Sequence, residues 1–457
     1  MMRSSLGMAI LVVVPLACVA CGSDDDGGSN SNGGGAGSGG TAGASGQAGS
    51  GGTAGTGGGT GGTGGETGGT GGGTGGVAGE GGTGGSSQTF EPPTFTEQQI
   101  TDTAGENARW VVMTDTADGY ALAFAHGADA TPGSYDLVVA KLDTTGQLAW
   151  STPITDLGAT RCTIASKSDT IAVVCTGANG LGMVQLDLQG NADPVVELSA
   201  QSPAGDLNMT DSSLVWSGTE WGLSWSAQDS SGLVDPNGTS IFFARFDEGG
   251  TLQGSPIAVE TSSNSGSQPS LVWTGTEYAV SYTGSQSFDV KLARIDATGQ
   301  LVGSPMNINS DGYAGQSTLV WNGTHFGVAW GDDRDNAVGS SDIFFRLVDT
   351  EGLPVGDLVK LTTNGGCWNP SLVWTGEVFG VLWSWFDNNS TDQPAMYFGS
   401  LDAQGTLLGT QSVIDTWESS PIPTLVYAND TYAAAWHQIP DPFGGDTQPQ
   451  VFFAVSP

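Results

Sequence analysis

The stretch SLVWTGTEYAVSY, from Ser270 to Tyr282, recurs with small changes along most of the chain. Large and small side chains alternate in its second half, and this period of two, bounded by turn residues, predicts a β-strand. The preceding SLVW predicts another strand. The TGTE between them predicts a tight turn in which Gly275 takes a positive φ.

The repeat runs through seven units of about fifty residues. The positions equivalent to Trp273 are Met113, Ala165, Trp216, Trp321, Trp374 and Tyr427. Most units continue with a third strand such as IFFARFD and a fourth such as LQGSPIAV. Units of this length with several strands each indicate propeller blades. The sequence therefore predicts an all-β fold, a seven-bladed β-propeller of four-stranded antiparallel blades. The unit from Cys162 to Leu198 matches least well, and the blade count falls if it is not a full blade.

The two ends of the repeat region complement each other. The last unit stops at VFFAV, which is its third strand, and the segment from Thr94 to Ile100 precedes the first unit without a partner of its own. An N-terminal strand that completes the last blade removes an open sheet edge. We therefore expect the N-terminal strand to close the propeller.

From Phe90 to Pro457 this pattern resembles a bacterial group of secreted propeller proteins with Trp-rich blades, kelch-like in a broad sense. The resemblance implies the fold. It implies little about function, because propellers host both binding and catalysis.

Residues 1–20 are expected to form an export signal, because they contain Arg3, an apolar run from Leu6 to Leu16 and small residues before Cys21. The apolar run is too short for a stable membrane span. The segment resembles a bacterial lipoprotein signal peptide, which implies that Cys21 becomes the lipidated first residue of the mature protein. Cys18 is a competing lipidation site, and an ordinary secretory signal is the alternative.

Residues 21–88 are expected to form a lipid-anchored, disordered stalk before a propeller domain at 89–457. Glycine makes up more than half of the segment from Gly27 to Gln88, which contains no aromatic residue. Such a segment cannot bury enough apolar surface to fold. The expected location is the bacterial cell envelope, at the outer membrane or cell surface, with the lipid as the only membrane contact.

The charge excludes one class of partner. With 11 Lys and Arg against 47 Asp and Glu, the formal net charge is −36. Binding of nucleic acid through phosphates needs clustered cations, so DNA and RNA are excluded as partners. Cationic partners and divalent ions are compatible with this charge, as is a solvated acidic surface that only maintains solubility.

The long, variable connections of the units are expected to share one face of the propeller, where function usually resides. The candidate ligand-contacting residues on this face are His126, Trp368, Trp385, Trp417 and His437. Aromatic rings that stack on sugars, with carboxylates binding hydroxyl groups, would suit a carbohydrate ligand. The alternative is that the tryptophans cap the blade cores.

Acidic residues crowd the loop that contains Asp332, Asp333 and Asp335. Their density suits calcium, although the spacing of an EF-hand is absent. Pairing with Arg334 inside the loop is the alternative. If calcium binds there, EDTA is expected to lower the melting temperature.

Two cysteines of the second unit, Cys162 and Cys175, lie opposite each other if its first hairpin pairs residue 165 with 172, and export permits a disulfide. Cys367 would then be a buried structural thiol. Recurrent charged residues are expected to serve the scaffold. They are Arg245, Arg294 and Lys141 on the third strands, and the turn aspartates Asp143, Asp247, Asp296, Asp349 and Asp402.

Few sequence features indicate an enzyme, because nucleophile elbows, phosphate loops and histidine clusters are missing. The leading hypothesis is a non-catalytic, envelope-anchored binding propeller for an envelope or extracellular ligand, a carbohydrate or a protein, with no cofactor other than calcium. The alternative is an extracytoplasmic carbohydrate-active enzyme that uses paired loop carboxylates. A purely structural envelope component is a third hypothesis.

Overall fold

The computed structural model describes residues 90–456, apart from gaps at 102–105, 128–134, 159–160, 178–179, 199–207, 229–238, 261–265, 285–287, 310–312, 336–339, 364, 387–393, 417–421 and 440–447. Within these ranges every regular element is a β-strand, and the strands form seven four-stranded antiparallel sheets. The predicted seven-bladed all-β propeller is confirmed.

The sheets follow one another along the chain, and we number them as blades 1 to 7. Blade 1 contains β2 (Asn107–Thr116), β3 (Gly119–Gly127), β4 (Asp136–Asp143) and β5 (Leu148–Gly158). Blade 2 contains β6 (Cys162–Lys167), β7 (Thr170–Gly177), β8 (Gly180–Asp187) and β9 (Val196–Glu197). Blade 3 contains β10 (Asn208–Trp216), β11 (Trp221–Gln228), β12 (Thr239–Phe246) and β13 (Leu252–Ala258). Blade 4 contains β14 (Gly266–Trp273), β15 (Glu277–Gly284), β16 (Val290–Asp296) and β17 (Met306–Asn307).

The remaining blades follow the same order. Blade 5 contains β18 (Ala314–Trp321), β19 (Phe326–Asp332), β20 (Asp342–Val348) and β21 (Pro354–Lys360). Blade 6 contains β22 (Cys367–Trp374), β23 (Val378–Trp385), β24 (Ala395–Asp402) and β25 (Leu407–Asp415). Blade 7 contains β26 (Thr424–Ala428), β27 (Thr431–Gln438), β28 (Gln450–Ser456) and, as its outer strand, β1 (Thr96–Gln99).

The first strands of successive blades contact one another around a ring, and β26 contacts β2, so the ring is continuous. In blade 7, β1 pairs antiparallel with β28, from Thr96 opposite Val455 to Gln99 opposite Phe452. The unit from Cys162 to Leu198, the weakest match in sequence, forms a complete blade.

Blades pack by setting a bulky face against a thin one. Tyr278 and Tyr282 of β15 pack on Ile241 and Phe243 of blade 3. A Cβ added to Gly222 would lie 2.5 Å from the Tyr278 ring, so glycine there makes room for the tyrosine of the next blade. The alternation of large and small residues in the repeat therefore follows from blade stacking.

Bulges in the first strands carry hydrogen bonds between blades. Gln268, Gln316 and Asn369 adopt left-handed φ values of 55°, 57° and 53°, each within a register shift of its strand. The Gln316 N–H donates to Gln268 Oε1 at 2.9 Å, and the Asn369 N–H donates to Gln316 Oε1 at 2.8 Å. Each link joins neighbouring blades beside the centre of the ring.

A parallel set of bonds uses the serine of SLVW. The Leu319 N–H donates to Ser270 Oγ at 3.1 Å, and the Leu271 N–H donates to Ser213 Oγ at 3.0 Å. In blade 2 a threonine, Thr163, accepts in the same way from the blade 3 strand. The serine is therefore a link between blades as well as a strand residue.

The turn aspartates bind their own backbone, as predicted. Asp296 Oδ1 accepts from the N–H groups of Thr298 and Gln300 at 2.8 and 3.0 Å. Gly299 follows with a φ of 85°. Asp187 of blade 2, which the sequence comparison missed, makes the same turn.

In the part of the chain that is described, no helix has the length and apolar character needed to cross a bilayer.

Candidate functional site

Two faces of the propeller differ in their connections. We call the face with the links between blades and between second and third strands the long-loop face, and the face with the hairpin turns the short-turn face. His126, His437, Trp368 and Trp385 lie at the long-loop ends of their strands. Trp417 and Cys21 lie outside the described residues, as do most of the longest connections.

In blade 5 two buried carboxylates stand directly opposite each other. Asp332 and Asp342 pair across β19 and β20, and both are fully buried. Asp332 Oδ2 accepts from Trp330 Nε1 at 3.1 Å and from Arg334 Nε at 3.0 Å. Asp342 forms an ion pair with Lys360 at 2.8 Å. Asp332 is therefore paired with Arg334, and Asp342 with Lys360.

The two other acidic residues of this loop are also engaged. Asp333 Oδ1 accepts from the Tyr313 N–H at 3.0 Å, and Asp335 Oδ2 accepts from Lys360 Nζ at 2.9 Å. Among the described residues no three His, Cys, Asp or Glu side chains converge as metal ligands would. Pairing of Asp332 with Arg334 is observed, and the calcium site stays a prediction.

His437 and His126 differ in their surroundings. His437 is 9% exposed, and burial, reinforced by the positive charge of Arg109, lowers its pKa to about 4. Its Nδ1 has no hydrogen-bond partner in the part of the chain that is described. His126 lies nearer the surface, with Nε2 at 3.3 Å from Glu106 Oε2. Of the two, only His126 presents a ring that a ligand could reach directly.

The tryptophans of blade 6 are packed rather than free. Trp385 stands edge-on to Tyr397 with ring centroids 6.1 Å apart, and both lie against the core between blades 5 and 6. Trp368 is half-buried at the start of β22, and its carbonyl accepts from Ser384 Oγ at 3.0 Å. For Trp385 the capping interpretation describes the contacts.

An aromatic pair that the sequence reasoning missed is exposed on the long-loop face. Phe288 and Tyr313 are 39% and 54% exposed, with ring centroids 4.8 Å apart. Phe288 has a φ of 50°, which is uncommon for a bulky residue and is often retained for function. The Ala314 N–H donates to the Phe288 carbonyl at 2.9 Å and ties the two loops together.

Asp289 is half-buried next to this aromatic pair, and Asn307 Nδ2 donates to its carboxylate at 3.2 Å. The connection between β15 and β16 is short, so it was not among the long loops that drew attention in the sequence. The sequence signal that could have indicated this site was an aromatic residue, Phe288, in a short serine-rich loop.

The cysteines occupy the positions considered from the sequence. Ala165 pairs with Ala172, Cys162 pairs with Cys175, and the two sulfur atoms are bonded with a Cα–Cα distance of 4.1 Å. Cys367 is a free, buried thiol whose pKa burial raises to about 12, so it is not a nucleophile at neutral pH.

The recurrent arginines serve the scaffold on the short-turn face, as predicted. Arg294 forms a two-point ion pair with Glu277, with both bonds at 2.8 Å. Arg245 pairs with Glu220 at 3.0 Å, and Glu220 also accepts from the Tyr278 hydroxyl of the next blade. In blade 5, His325 stands at the repeat position of Glu277, and Leu347 stands at that of Arg294. Both members of the ion pair are therefore replaced together.

Comparison with known proteins gives a likeness of fold only. No family model matches the chain, and no curated protein matches it. Oligogalacturonate lyase from Vibrio parahaemolyticus is 11% identical, with a TM-score of 0.47, over 79% of this chain and 96% of that one. The α-L-arabinofuranosidase Arb93A from Fusarium graminearum is 11% identical, with a TM-score of 0.47, over 80% and 98%. At these values neither likeness bears on what this chain does.

Proposed function

We propose that this protein is a cell-envelope-anchored binding propeller that binds a carbohydrate on its long-loop face without catalysis. The observation that carries the proposal is the exposed pair of Phe288 and Tyr313. Exposed rings offer apolar faces on which a sugar ring can stack, and loops on a rigid scaffold are common binding positions.

The polar surroundings of this pair suit hydroxyl groups. Asp289 beside Phe288 is half-buried, and its carboxylate accepts hydrogen bonds only. Asp333 holds the backbone of Tyr313, and the Phe288 carbonyl holds Ala314. Because the backbone at both residues is held before a ligand arrives, binding would lose less backbone conformational entropy.

The carboxylates of blade 5 favour a binding function over a carbohydrate-active enzyme. A glycosidase needs two carboxyl groups that reach the scissile bond, one of them a proton donor. Asp332 and Asp342 are paired across the strands, yet both are fully buried and each is held by a cation. They are suited to holding the loops in place.

The anchoring part of the proposal is supported by residues 1–88. The lipoprotein-like signal before Cys21 would place the chain in the cell envelope, and the glycine-rich segment would extend the propeller from the membrane. Metabolic labelling with a fatty acid checks this part, since Cys21→Ala is expected to abolish the label and Cys18→Ala to retain it.

A glycan array with the full-length protein, followed by calorimetry on the best ligand, tests the binding function. Phe288→Ala and Tyr313→Ala are each expected to weaken binding about tenfold, the scale of one lost stacking contact. Leu353→Ala is the control, because Leu353 is an apolar residue 49% exposed on the opposite face. Binding that persists unchanged in both aromatic variants, or no glycan bound at all, would overturn the proposal.

A further inference from the structure

A cleft opens on the short-turn face, which the sequence assigned to the scaffold. Its volume is about 430 Å³, and it lies among the ends of β2, β6 and β26. The lining includes Asp115, Ser166, Lys167, Tyr427 and Asn429. The volume falls in the range of small-molecule sites.

The three blades around the cleft are those whose first hairpin departs from the repeat. In blade 4 the strands pair up to Trp273 opposite Tyr278, and Gly275 has a φ of 99° in the turn. Blades 3, 5 and 6 repeat this pattern with Gly218, Gly323 and Gly376.

Blades 7, 1 and 2 instead make tighter turns. They pair Ala428 with Thr431, Thr116 with Gly119, and Lys167 with Thr170. These blades are neighbours in space, because β2 contacts both β26 and β6. Four blades fold with the common glycine turn, so the scaffold does not require the tighter turn. The tighter turns of the three adjacent blades are therefore consistent with a role at the cleft between them.

The cations near the cleft are already neutralised. Lys167 Nζ pairs with Glu248 of blade 3 and lies 5.2 Å from the centre of the Trp216 ring. Lys141 pairs with Asp118 at 2.8 Å. Lys167 lines the cleft, and its positive charge is paired with a carboxylate of blade 3.

Negative charge at the cleft is less well compensated. Asp115 is exposed, and within the described ranges its carboxylate makes no hydrogen bond or ion pair. The carboxylates of Asp430 and Glu377 add to the effect of burial in raising the pKa of Tyr427. The Tyr427 hydroxyl therefore lies near two carboxylates.

We propose that this cleft binds a small organic ammonium ligand. The ammonium group would lie against the Tyr427 ring and the Asp115 carboxylate, since a cation is attracted by both. The oxygens of Ser166 and Asn429 would accept its remaining N–H groups. This site is separate from the aromatic pair on the opposite face and does not depend on the carbohydrate proposal.

Calorimetry of the full-length protein with spermidine, whose amine groups carry N–H donors, tests the site. At about 0.15 M salt, where the Debye length is about 8 Å, we expect one saturable site. Asp115→Asn and Tyr427→Leu are each expected to weaken binding about tenfold.

Asp357→Asn is the matched control. It makes the same change in net charge at an exposed residue of β21 and is expected to leave the affinity within about twofold. Equal weakening by Asp115→Asn and Asp357→Asn would mean diffuse attraction to an acidic protein and would overturn the proposal. An absence of saturable binding would overturn it as well. Unchanged spermidine binding in Phe288→Ala would separate this site from the one on the other face.

Discussion

At the residue scale, the buried carboxylate of Asp332 in blade 5 is paired, among the described residues, with the cation of Arg334. Its carboxylate is fully buried, and Arg334 provides the ion pair. Removing one partner of a buried pair leaves an uncompensated charge, which costs about 3–5 kcal/mol. Arg334→Met is therefore expected to lower the free energy of unfolding by that amount in urea denaturation.

Two further variants make this test specific. Asp332→Asn combined with Arg334→Met removes the buried charge as well and should recover part of the loss. Arg161→Met is the control, because Arg161 is 42% exposed and its pair with Asp211 is worth less than about 1 kcal/mol. If Arg334→Met lowers the free energy of unfolding no more than Arg161→Met does, the ion pair of Asp332 with Arg334 does not stabilise the fold as argued.

His437 gives the stability a pH dependence of known sign. Its pKa falls from an ordinary 6.5 to about 4 in the folded protein, chiefly through burial. Between these values the unfolded chain binds the proton and the folded chain does not, so stability decreases as the pH falls through this window. The slope should reach about 1.4 kcal/mol per pH unit.

Denaturant unfolding at several pH values measures this slope. His437→Gln is expected to reduce it between pH 6.5 and about pH 4. His325→Gln, at a half-buried turn on the other face, is expected to keep the slope of the parent. An unchanged slope in the His437 variant would mean that other groups set the acid sensitivity.

At the scale of the element, the hydrogen bond accepted by the serine of SLVW joins one blade to the next. Ser270→Ala leaves the Leu319 N–H without its acceptor, at a cost of about 1–3 kcal/mol for a buried donor. Ser270→Thr keeps the hydroxyl and should cost less, because Thr163 already fills this role in blade 2. Thermal melting compares the two variants, and equal losses would show that packing rather than the hydrogen bond matters.

The strands and turns could be predicted because they repeat. A strand pattern that recurs in most of the seven units is a stronger signal than the same pattern seen once. The turn at Asp296 follows from an aspartate and a glycine at fixed spacing. The bulges at Gln316 and Asn369 could not be predicted in this way. The backbone N–H of each donates to a side chain of the preceding blade, and neither residue is a glycine.

The candidate site was harder to predict than the fold. Loop length directed attention to Trp385, which packs on the core, and away from Phe288, which lies in a short connection. Exposure depends on which side chains the adjacent blade covers, and this is a property of the assembled ring. The tight turn at Ala428, which lines the cleft, was visible in sequence as a departure from the repeat.

At the scale of the whole molecule, the outer strand of blade 7 comes from the other end of the chain. β1 pairs with β28, and Ile100 N–H continues the pairing by donating to the Val451 carbonyl at 2.8 Å. Thr101 Oγ1 extends it further by accepting from the Val451 N–H at 2.9 Å. A strand contributed by the N-terminal end holds the last blade and covers an edge that could pair with another chain.

Deleting residues 96–99 is therefore expected to do two things at once. It should lower the melting temperature, because the ladder between β1 and β28 is lost, and it should promote association, because β28 becomes an open edge. Melting curves and light scattering after size exclusion measure both effects.

Deletion of residues 80–83, which lie outside the described strands, removes the same length of chain and should change neither. If the two deletions behave alike, β1 does not stabilise the ring; if only the first destabilises the protein and promotes association, the pairing of β1 with β28 stabilises blade 7 and covers its edge.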